Sequence, residues 1–236
     1  MAEIAAVETA VMRPLASTVI IGTAVVEPNA PTFELTVARV NADETAADPS
    51  TDKDAVASPV NDSVRAVAQA EAVGKELAAR KADLIIASPM VRTKQTADAI
   101  AKATGLKVTY DEAWREAGFG EWDGLTIAQV KELYPNEWLA WVSSTGATAG
   151  TSGESYDDVA ARSDLALSNL ALEHPGKTII VVTHNYVIRT LVASVLGASI
   201  ESVYHLDVLP CSITTVNTWA SDGLRALRSM SERSHL

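Results

Sequence analysis

Apolar side chains along the chain follow two spacings, one typical of strands and one typical of helices. Five runs have the length and apolar content of strands: residues 17–26, 32–40, 83–88, 107–110 and 178–183. Five stretches carry apolar residues at three- and four-residue spacing, which predicts helices: about residues 66–78, 93–104, 126–133, 155–174 and 184–196. Two late strands are predicted near Tyr204–Val208 and Ser212–Thr218.

Strands and helices alternate from about residue 64 onward, which is typical of an α/β layered sandwich with ligands at the carboxyl ends of its strands. We divide the chain into an N-terminal extension, residues 1–16, and a single domain, residues 17–236. Residues 41–63 are rich in Asp, Ala, Thr and Pro, so we predict a loop there, ordered or disordered.

Several residues mark where the predicted helices begin and end. Gly105 has the place of a C′ residue, and Pro135 is expected to stop the helix before it, with a variable loop over Pro135–Gly153. Ser155 and Asp158 have the spacing of a capping box, which predicts a helix start at that point.

Composition narrows the classes of function. With 236 residues and 47% apolar side chains the chain can bury one substantial core. A formal net charge of −11 argues against nucleic acid and anionic membranes as partners, because both are polyanions. Cys211 is the single cysteine, so an internal disulfide is excluded and a reducing cytoplasm is the expected location. Glu3 and Glu8 precede the first basic residue, unlike the start of a secretory signal.

The segment Ser88–Ala97 places Arg92 where a predicted strand passes into a predicted helix. Free backbone N–H groups at a helix N-terminus favour anions, and a guanidinium there can bind a phosphate through two hydrogen bonds. Arg92 is therefore a candidate phosphate ligand, although many arginines at helix starts are only solvated.

A histidine and a glutamate are the other candidates. His184 follows the predicted strand 178–183, at the edge where open α/β sheets bind ligands; the alternative is a structural, hydrogen-bonded histidine. Glu116 precedes a turn rich in Gly and aromatic residues, Ala117–Gly124, whose apolar walls would suit a proton donor. The alternative for Glu116 is a solvated loop carboxylate.

In this order the three segments resemble the histidine phosphatase (phosphoglycerate mutase-like) superfamily. The resemblance spans about residues 59–236 and includes further matching segments: Gln69–Ala72, Gly153–Ser155, Pro210–Thr214 and Ser234–Leu236. It implies a three-layer α/β/α sandwich with a mixed, mostly parallel sheet, and chemistry that needs no metal or organic cofactor.

The resemblance also implies roles. In this family a histidine of an N-terminal Arg-His-Gly motif attacks phosphorus and becomes a phosphohistidine. By position Arg92 binds the phosphoryl group, His184 is the second pocket histidine and Glu116 is the proton donor. Trp122 and Asp123 would line the approach to the pocket.

The Arg-His-Gly motif itself is missing. The best alignment sets Asn41, Ala42 and Asp43 against its three residues, and an alternative on Gly22–Val25 has poorer spacing. All four histidines lie after residue 173: His174, His184, His205 and His235. An alanine cannot form a phospho-enzyme. Replacing the arginine by Asn41 removes a positive charge, and Asp43 adds a negative one. At a distance of ~4 Å from a bound phosphate, each change would cost on the order of 4 kcal/mol of binding free energy.

Three hypotheses follow from this loss. The first is an inactive pseudophosphatase with a binding or regulatory role, which takes phosphate or a small phosphorylated ligand weakly. The second is an active phosphomonoesterase or mutase with His184 as an unusual nucleophile. The third is an interaction protein that works through its N-terminal extension. A protein partner and a homodimer both stay open.

Overall fold

The computed structural model describes residues 17–23, 59–125 and 127–236 of the chain. Six strands lie in these ranges: β1 (Ser17–Thr23), β2 (Leu84–Ala87), β3 (Val108–Tyr110), β4 (Thr178–Thr183), β5 (Ile213–Thr218) and β6 (Arg225–Glu232). Six α-helices accompany them: α1 (Pro59–Ala79), α2 (Val91–Thr104), α3 (Ile127–Leu133), α4 (Pro135–Ser143), α5 (Tyr156–Glu173) and α6 (Asn185–Val195).

The strands form one mixed sheet in the order β3-β2-β4-β1-β5-β6. The pairs β2–β3, β2–β4 and β1–β4 are parallel. The pairs β1–β5 and β5–β6 are antiparallel. The predicted α/β fold with a mostly parallel sheet is therefore confirmed, with the antiparallel strands at one side.

Alternating residues of the central strands face two separate cores, because successive side chains of a strand point to opposite faces. Ile179 and Val181 of β4 pack with residues of α5 and α6 on one face. Ile180 and Val182 pack with α1 and α2 on the other face. Each fully buried side chain of this kind stabilises the fold by roughly 1.5–3 kcal/mol. Helices α5 and α6 on one face and α1 and α2 on the other enclose β4, and this packing fixes the position of His184, which follows the strand.

Several sequence predictions hold residue by residue. Strand β4 covers Thr178–Thr183 as expected, and Gly105 follows α2 in the left-handed conformation with φ 75°. Helix α5 begins with the predicted capping box, in which the Ser155 hydroxyl accepts from the Asp158 N–H at 3.1 Å and the Asp158 carboxylate accepts from the Ser155 N–H at 2.9 Å.

Two helix boundaries differ from the prediction, and both involve a proline. Helix α1 begins at Pro59, so the predicted loop over residues 41–63 is wrong for its last five residues; the rest of that loop lies outside the described residues. Pro135 does not simply stop a helix but begins α4, inside the predicted loop Pro135–Gly153. Proline suits the first position of a helix because its missing N–H would have no partner there.

The last part of the sheet was also predicted wrongly. Tyr204–Val208 is not a strand: residues Ile200–His205 form a 3₁₀ helix that buries Val203. The final strand is instead β6, Arg225–Glu232, which has no β-branched residue and was not predicted. It pairs with β5 alone among the described strands, and an edge strand needs less apolar character than a central one.

The predicted run 32–40 and the extension 1–16 lie outside the described residues. Within the described ranges, no helix combines the length and the apolar character needed to cross a membrane.

Candidate active site

Two adjacent parallel strands end at the centre of the candidate site. Ala87 at the end of β2 pairs with Val182 of β4, and the Ser88 N–H donates to the Val182 carbonyl at 2.9 Å. His184 follows β4 directly and is the N-cap residue of α6. Its Nε2 lies 2.8 Å from the Ser88 hydroxyl oxygen, and the His184 side chain is 3% exposed. The predicted position of His184 at the carboxyl edge of the sheet is therefore observed.

Arg92 is the second residue of α2, at the same edge of the sheet. The Thr93 hydroxyl holds this strand-to-helix junction, 2.8 Å from the Ser88 carbonyl and 2.7 Å from the Met90 carbonyl. Met90 is the N-cap residue and supplies no side-chain hydrogen bond. The first turn of α2 thus keeps its partial positive charge beside the half-buried Arg92.

Glu116 is buried, with 5% of its surface exposed. Its Oε1 accepts from the N–H of Ala117 at 3.1 Å and from the N–H of Tyr186 at 3.2 Å. Tyr186 lies in the first turn of α6, where the helix dipole also favours a carboxylate. Glu116 is therefore tied to the same helix terminus that His184 caps.

An ion pair buttresses the Glu116 segment from α5. Arg162 binds the Glu154 carboxylate through Nε at 2.7 Å and through a second nitrogen at 3.0 Å. The same guanidinium donates to the carbonyl oxygens of Ala113 at 2.9 Å and Glu116 at 3.2 Å. Glu154 in turn accepts from the Gly118 N–H at 2.9 Å.

A second carboxylate joins the turn after Glu116 to the Gly-rich loop. Glu121 accepts from the N–H and hydroxyl of Thr151 and from the N–H of Ser152. These hydrogen bonds lower the pKa of the exposed Glu121 to about 2. Gly153 sits so close to this turn that an added Cβ would lie 2.5 Å from the Gly118 carbonyl.

The elements enclose a pocket of about 410 Å³ beside Glu116. Arginine and carboxylate side chains of both signs line it, among them Arg115, Arg162, Glu112 and Asp123. Burial raises the pKa of Asp123, while Arg115 acts in the opposite direction. The volume is in the range of small-molecule sites.

Positive charge converges on His184. Burial, and then the guanidinium groups of Arg92, Arg162 and Arg115, hold the pKa of His184 well below its usual range. Its imidazole is therefore neutral near pH 7. A neutral ring, several guanidinium groups and a buried carboxyl group are of the kinds that bind a phosphoryl group and transfer a proton to a leaving oxygen.

The other three histidines lie elsewhere. His174 follows the end of α5, His205 closes the 3₁₀ helix, and His235 lies 2.9 Å through Nε2 from the Cys211 carbonyl. Asn41, Ala42 and Asp43 lie outside the described residues. No cluster of His, Cys, Asp and Glu suited to a metal ion occurs in the ranges that the structure covers.

Sequence reasoning missed the supporting residues. Glu154 was noted only as part of a matching segment, and Arg162 carried no sequence signal because an arginine on a predicted helix resembles a solvated one. Ser88 lies in the segment that carries Arg92, and the sequence analysis assigns it no role. Its place at a strand end beside that of His184 was the available signal.

The chain is similar in sequence to several known proteins. The model of the histidine phosphatase superfamily (branch 1) matches residues 63–230. A bifunctional protein of Mycobacterium tuberculosis is 32% identical over 154 residues, which are 64% of this chain and 41% of that relative. Phosphoserine phosphatase 1 of Hydrogenobacter thermophilus is 30% identical over 142 residues, 60% of this chain and 67% of the relative. Glucosyl-3-phosphoglycerate phosphatase of Mycobacterium tuberculosis is 37% identical over 141 residues, 56% of this chain and 60% of the relative.

Solved structures share the fold at lower identity. YhfR of Bacillus stearothermophilus superimposes with a TM-score of 0.73 at 19% identity, over 93% of this chain and 99% of that one. Mycobacterial glucosyl-3-phosphoglycerate phosphatase in complex with inorganic phosphate gives a TM-score of 0.68 at 23% identity, over 94% and 99% of the two chains.

Proposed function

Because the chain belongs to the histidine phosphatase superfamily, we propose that it binds phosphate or a small phosphorylated ligand beside His184 and does not hydrolyse it. One observation carries this proposal: all four histidines lie at or after residue 174, so β1 and everything before α5 contain none. A second histidine cannot come from the first strand. The remaining groups can hold a phosphoryl group, but the covalent half of the reaction lacks its nucleophile.

The register of β1 supports one of the two alignments of the lost motif. Thr23 pairs with Thr183, one residue before His184. Ala24 follows Thr23 in the sequence and lies outside the described residues. We therefore favour the alignment on Gly22–Val25, which sets Ala24 against the nucleophile, over the alignment on Asn41, Ala42 and Asp43.

Arg92 and His184 are the proposed phosphate ligands. Glu116 has the position of the family's proton donor but has no catalytic role in a protein that does not hydrolyse its ligand. The site lacks one guanidinium and one imidazole of the family's pattern. At an effective dielectric near 20, the loss of one charge at ~4 Å is worth on the order of 4 kcal/mol. The affinity for phosphate is therefore expected to be weak.

Calorimetric titration of the full chain with inorganic phosphate and orthovanadate tests the binding half of the proposal. We expect weak, saturable binding that falls at least ~10-fold in Arg92→Gln, since a charge-assisted pair to phosphate contributes about 1.5–3 kcal/mol. Arg228→Gln is the matched control, because Arg228 is an exposed arginine of β6. Equal binding by both variants, or none by the wild type, would contradict a site at Arg92.

An active enzyme is the second candidate, and the neutral imidazole of His184 favours it. A nucleophilic histidine must be unprotonated, and burial keeps His184 in that form. In this alternative a ring nitrogen bonds to phosphorus, the ester oxygen leaves with a proton from Glu116, and water then releases phosphate. Turnover that disappears in His184→Ala distinguishes it.

The ligand class, the location and the partners of the protein are also proposed here. The names of the relatives suggest small phosphomonoesters as ligands, and we infer a cytoplasmic protein with no nucleic-acid or membrane partner. A homodimer formed through residues 1–16 is tested by deleting residues 1–15 and measuring self-association by light scattering. A different protein partner is tested by comparing its binding to the full chain and to the same deletion.

A further inference from the structure

One buried hydroxyl contacts His184 directly. Ser88 is fully buried, and its Oγ lies 2.8 Å from His184 Nε2. The backbone of Ser88 is fixed on both sides: its N–H donates to the Val182 carbonyl at 2.9 Å, and its carbonyl accepts from the Thr93 hydroxyl at 2.8 Å. The hydroxyl therefore meets the imidazole at a position that the sheet determines.

The surroundings of Ser88 set the direction of this hydrogen bond. The Met90 N–H points at the Ser88 oxygen over a long 3.5 Å contact and uses a lone pair of that oxygen. Met90 offers only a donor, so among the described residues the His184 ring nitrogen is the acceptor available to the hydrogen of this buried hydroxyl. If Nε2 donated instead, the hydroxyl hydrogen would be buried without an acceptor. A nitrogen that accepts a hydrogen bond carries no proton of its own.

The neutral imidazole of His184 carries one proton, either on Nδ1 or on Nε2. Burial and the nearby guanidinium groups keep the pKa of His184 low, so the ring bears a single N–H near pH 7. If Nε2 accepts from Ser88, that proton sits on Nδ1. Within the described ranges His184 makes no hydrogen bond through Nδ1, which is thus the ring nitrogen left for a ligand.

We propose that Ser88 is a positioning residue that holds His184 in the Nδ1–H tautomer, so that the ring offers a hydrogen-bond donor to a phosphoryl oxygen. The identity of the ligand rests on the proposed function, whereas the tautomer is a property of the free protein. A donor suits an anionic oxygen, while the lone pair that could attack phosphorus is occupied by the Ser88 hydroxyl. His184 is thereby suited to binding and unsuited to nucleophilic attack.

Long-range ¹H–¹⁵N correlation spectra of the full chain with labelled histidine test the tautomer without any ligand. The signals of His184 are those missing from His184→Gln. We expect the protonated nitrogen of wild-type His184 to be Nδ1. A protonated Nε2, or an imidazolium at pH 7, would overturn the proposal whatever the variants do.

Three variants separate positioning from packing. Ser88→Ala is expected to lose the single tautomer and to bind phosphate about fivefold more weakly, the value of one neutral hydrogen bond. Ser88→Thr keeps a hydroxyl and should restore both properties. The control is Ser163→Ala, another fully buried serine, whose hydroxyl contacts Thr190 and Ala160 instead. An unchanged His184 spectrum in folded Ser88→Ala would also overturn the proposal.

The two proposals fail in different ways. Absence of phosphate binding in wild type and variants alike would contradict the proposed function. The tautomer of the free protein would still decide the role of Ser88.

Discussion

At the scale of single residues, the candidate site depends on side chains that no ligand would touch. Arg162 makes four hydrogen bonds, two to Glu154 and two to backbone carbonyls of the segment that carries Glu116. Such a guanidinium does more than pair a charge, since it satisfies carbonyl oxygens that would otherwise lose their partner in a half-buried place.

Arg162→Gln should lower the free energy of unfolding by roughly 2–4 kcal/mol, because it removes the charged partner of the Glu154 carboxylate and the donor to two carbonyl oxygens. Arg115→Gln is the control. Arg115 also pairs with a glutamate, Glu112, at 3.1 Å, but its side chain is 53% exposed, so we expect a loss below about 1 kcal/mol. Urea unfolding measures both. Equal losses would show that the buttress around Glu116 contributes nothing beyond an ordinary surface pair.

At the scale of elements, the turn that follows Glu116 and the Gly-rich loop contact each other beside the pocket. The turn after Glu116 and the Gly-rich loop 146–153 contact each other through Glu121 and through backbone groups. The approach is close enough to need glycine: a Cβ on Gly153 would lie 2.1 Å from the Ala149 carbonyl.

Gly153→Ala is therefore expected to destabilise the protein by about 2 kcal/mol or more, because neither neighbouring carbonyl is a flexible side-chain end. Gly118→Ala is the matched substitution in the facing turn, where the nearest atom to an added Cβ is Glu154 Oε2 at 3.8 Å. We expect that variant to unfold within about 0.5 kcal/mol of the wild type. A Gly153→Ala protein of unchanged thermal midpoint would contradict the close approach.

The elements also show how far the sequence could lead. Strand β4 and helix α5 were predicted with their correct ends, because a run of β-branched residues and a capping box are local signals. Strand β6 was missed because an edge strand rich in Ser and Arg has no such signal. Strand ends and motifs indicate Arg92, His184 and Glu116 as candidates. Arg162 reaches Glu116 across 46 residues of sequence, and no local pattern records that contact.

At the scale of the whole molecule, stability should fall in two steps as the pH is lowered. The folded state holds His184 neutral, with a pKa below the value of 6.5 that applies when the chain unfolds. Below pH 6.5 His184 binds a proton in the unfolded chain but not in the folded chain. The free energy of unfolding therefore decreases by up to about 1.4 kcal/mol for each pH unit by which the pH is lowered. Carboxylates with lowered pKa add a second loss below about pH 4.5; Glu121 titrates at about 2 in the folded protein.

His184→Gln should remove the first step and leave the second, whereas Glu121→Gln should reduce the second and leave the first. Urea unfolding at several pH values between about 2 and 8 measures the slopes. A wild-type slope near pH 6 that persists in His184→Gln would contradict the buried neutral histidine.

The central claim, binding without hydrolysis, also belongs to this scale, because it depends on a histidine that the chain up to residue 173 does not contain. The most direct test is hydrolysis of a generic phosphomonoester by the folded protein from about pH 4 to 9, beside folded His184→Ala. The account predicts no rate above that of the variant at any pH. A clear rate that disappears in His184→Ala would contradict it and would make His184 the nucleophile of an active phosphatase.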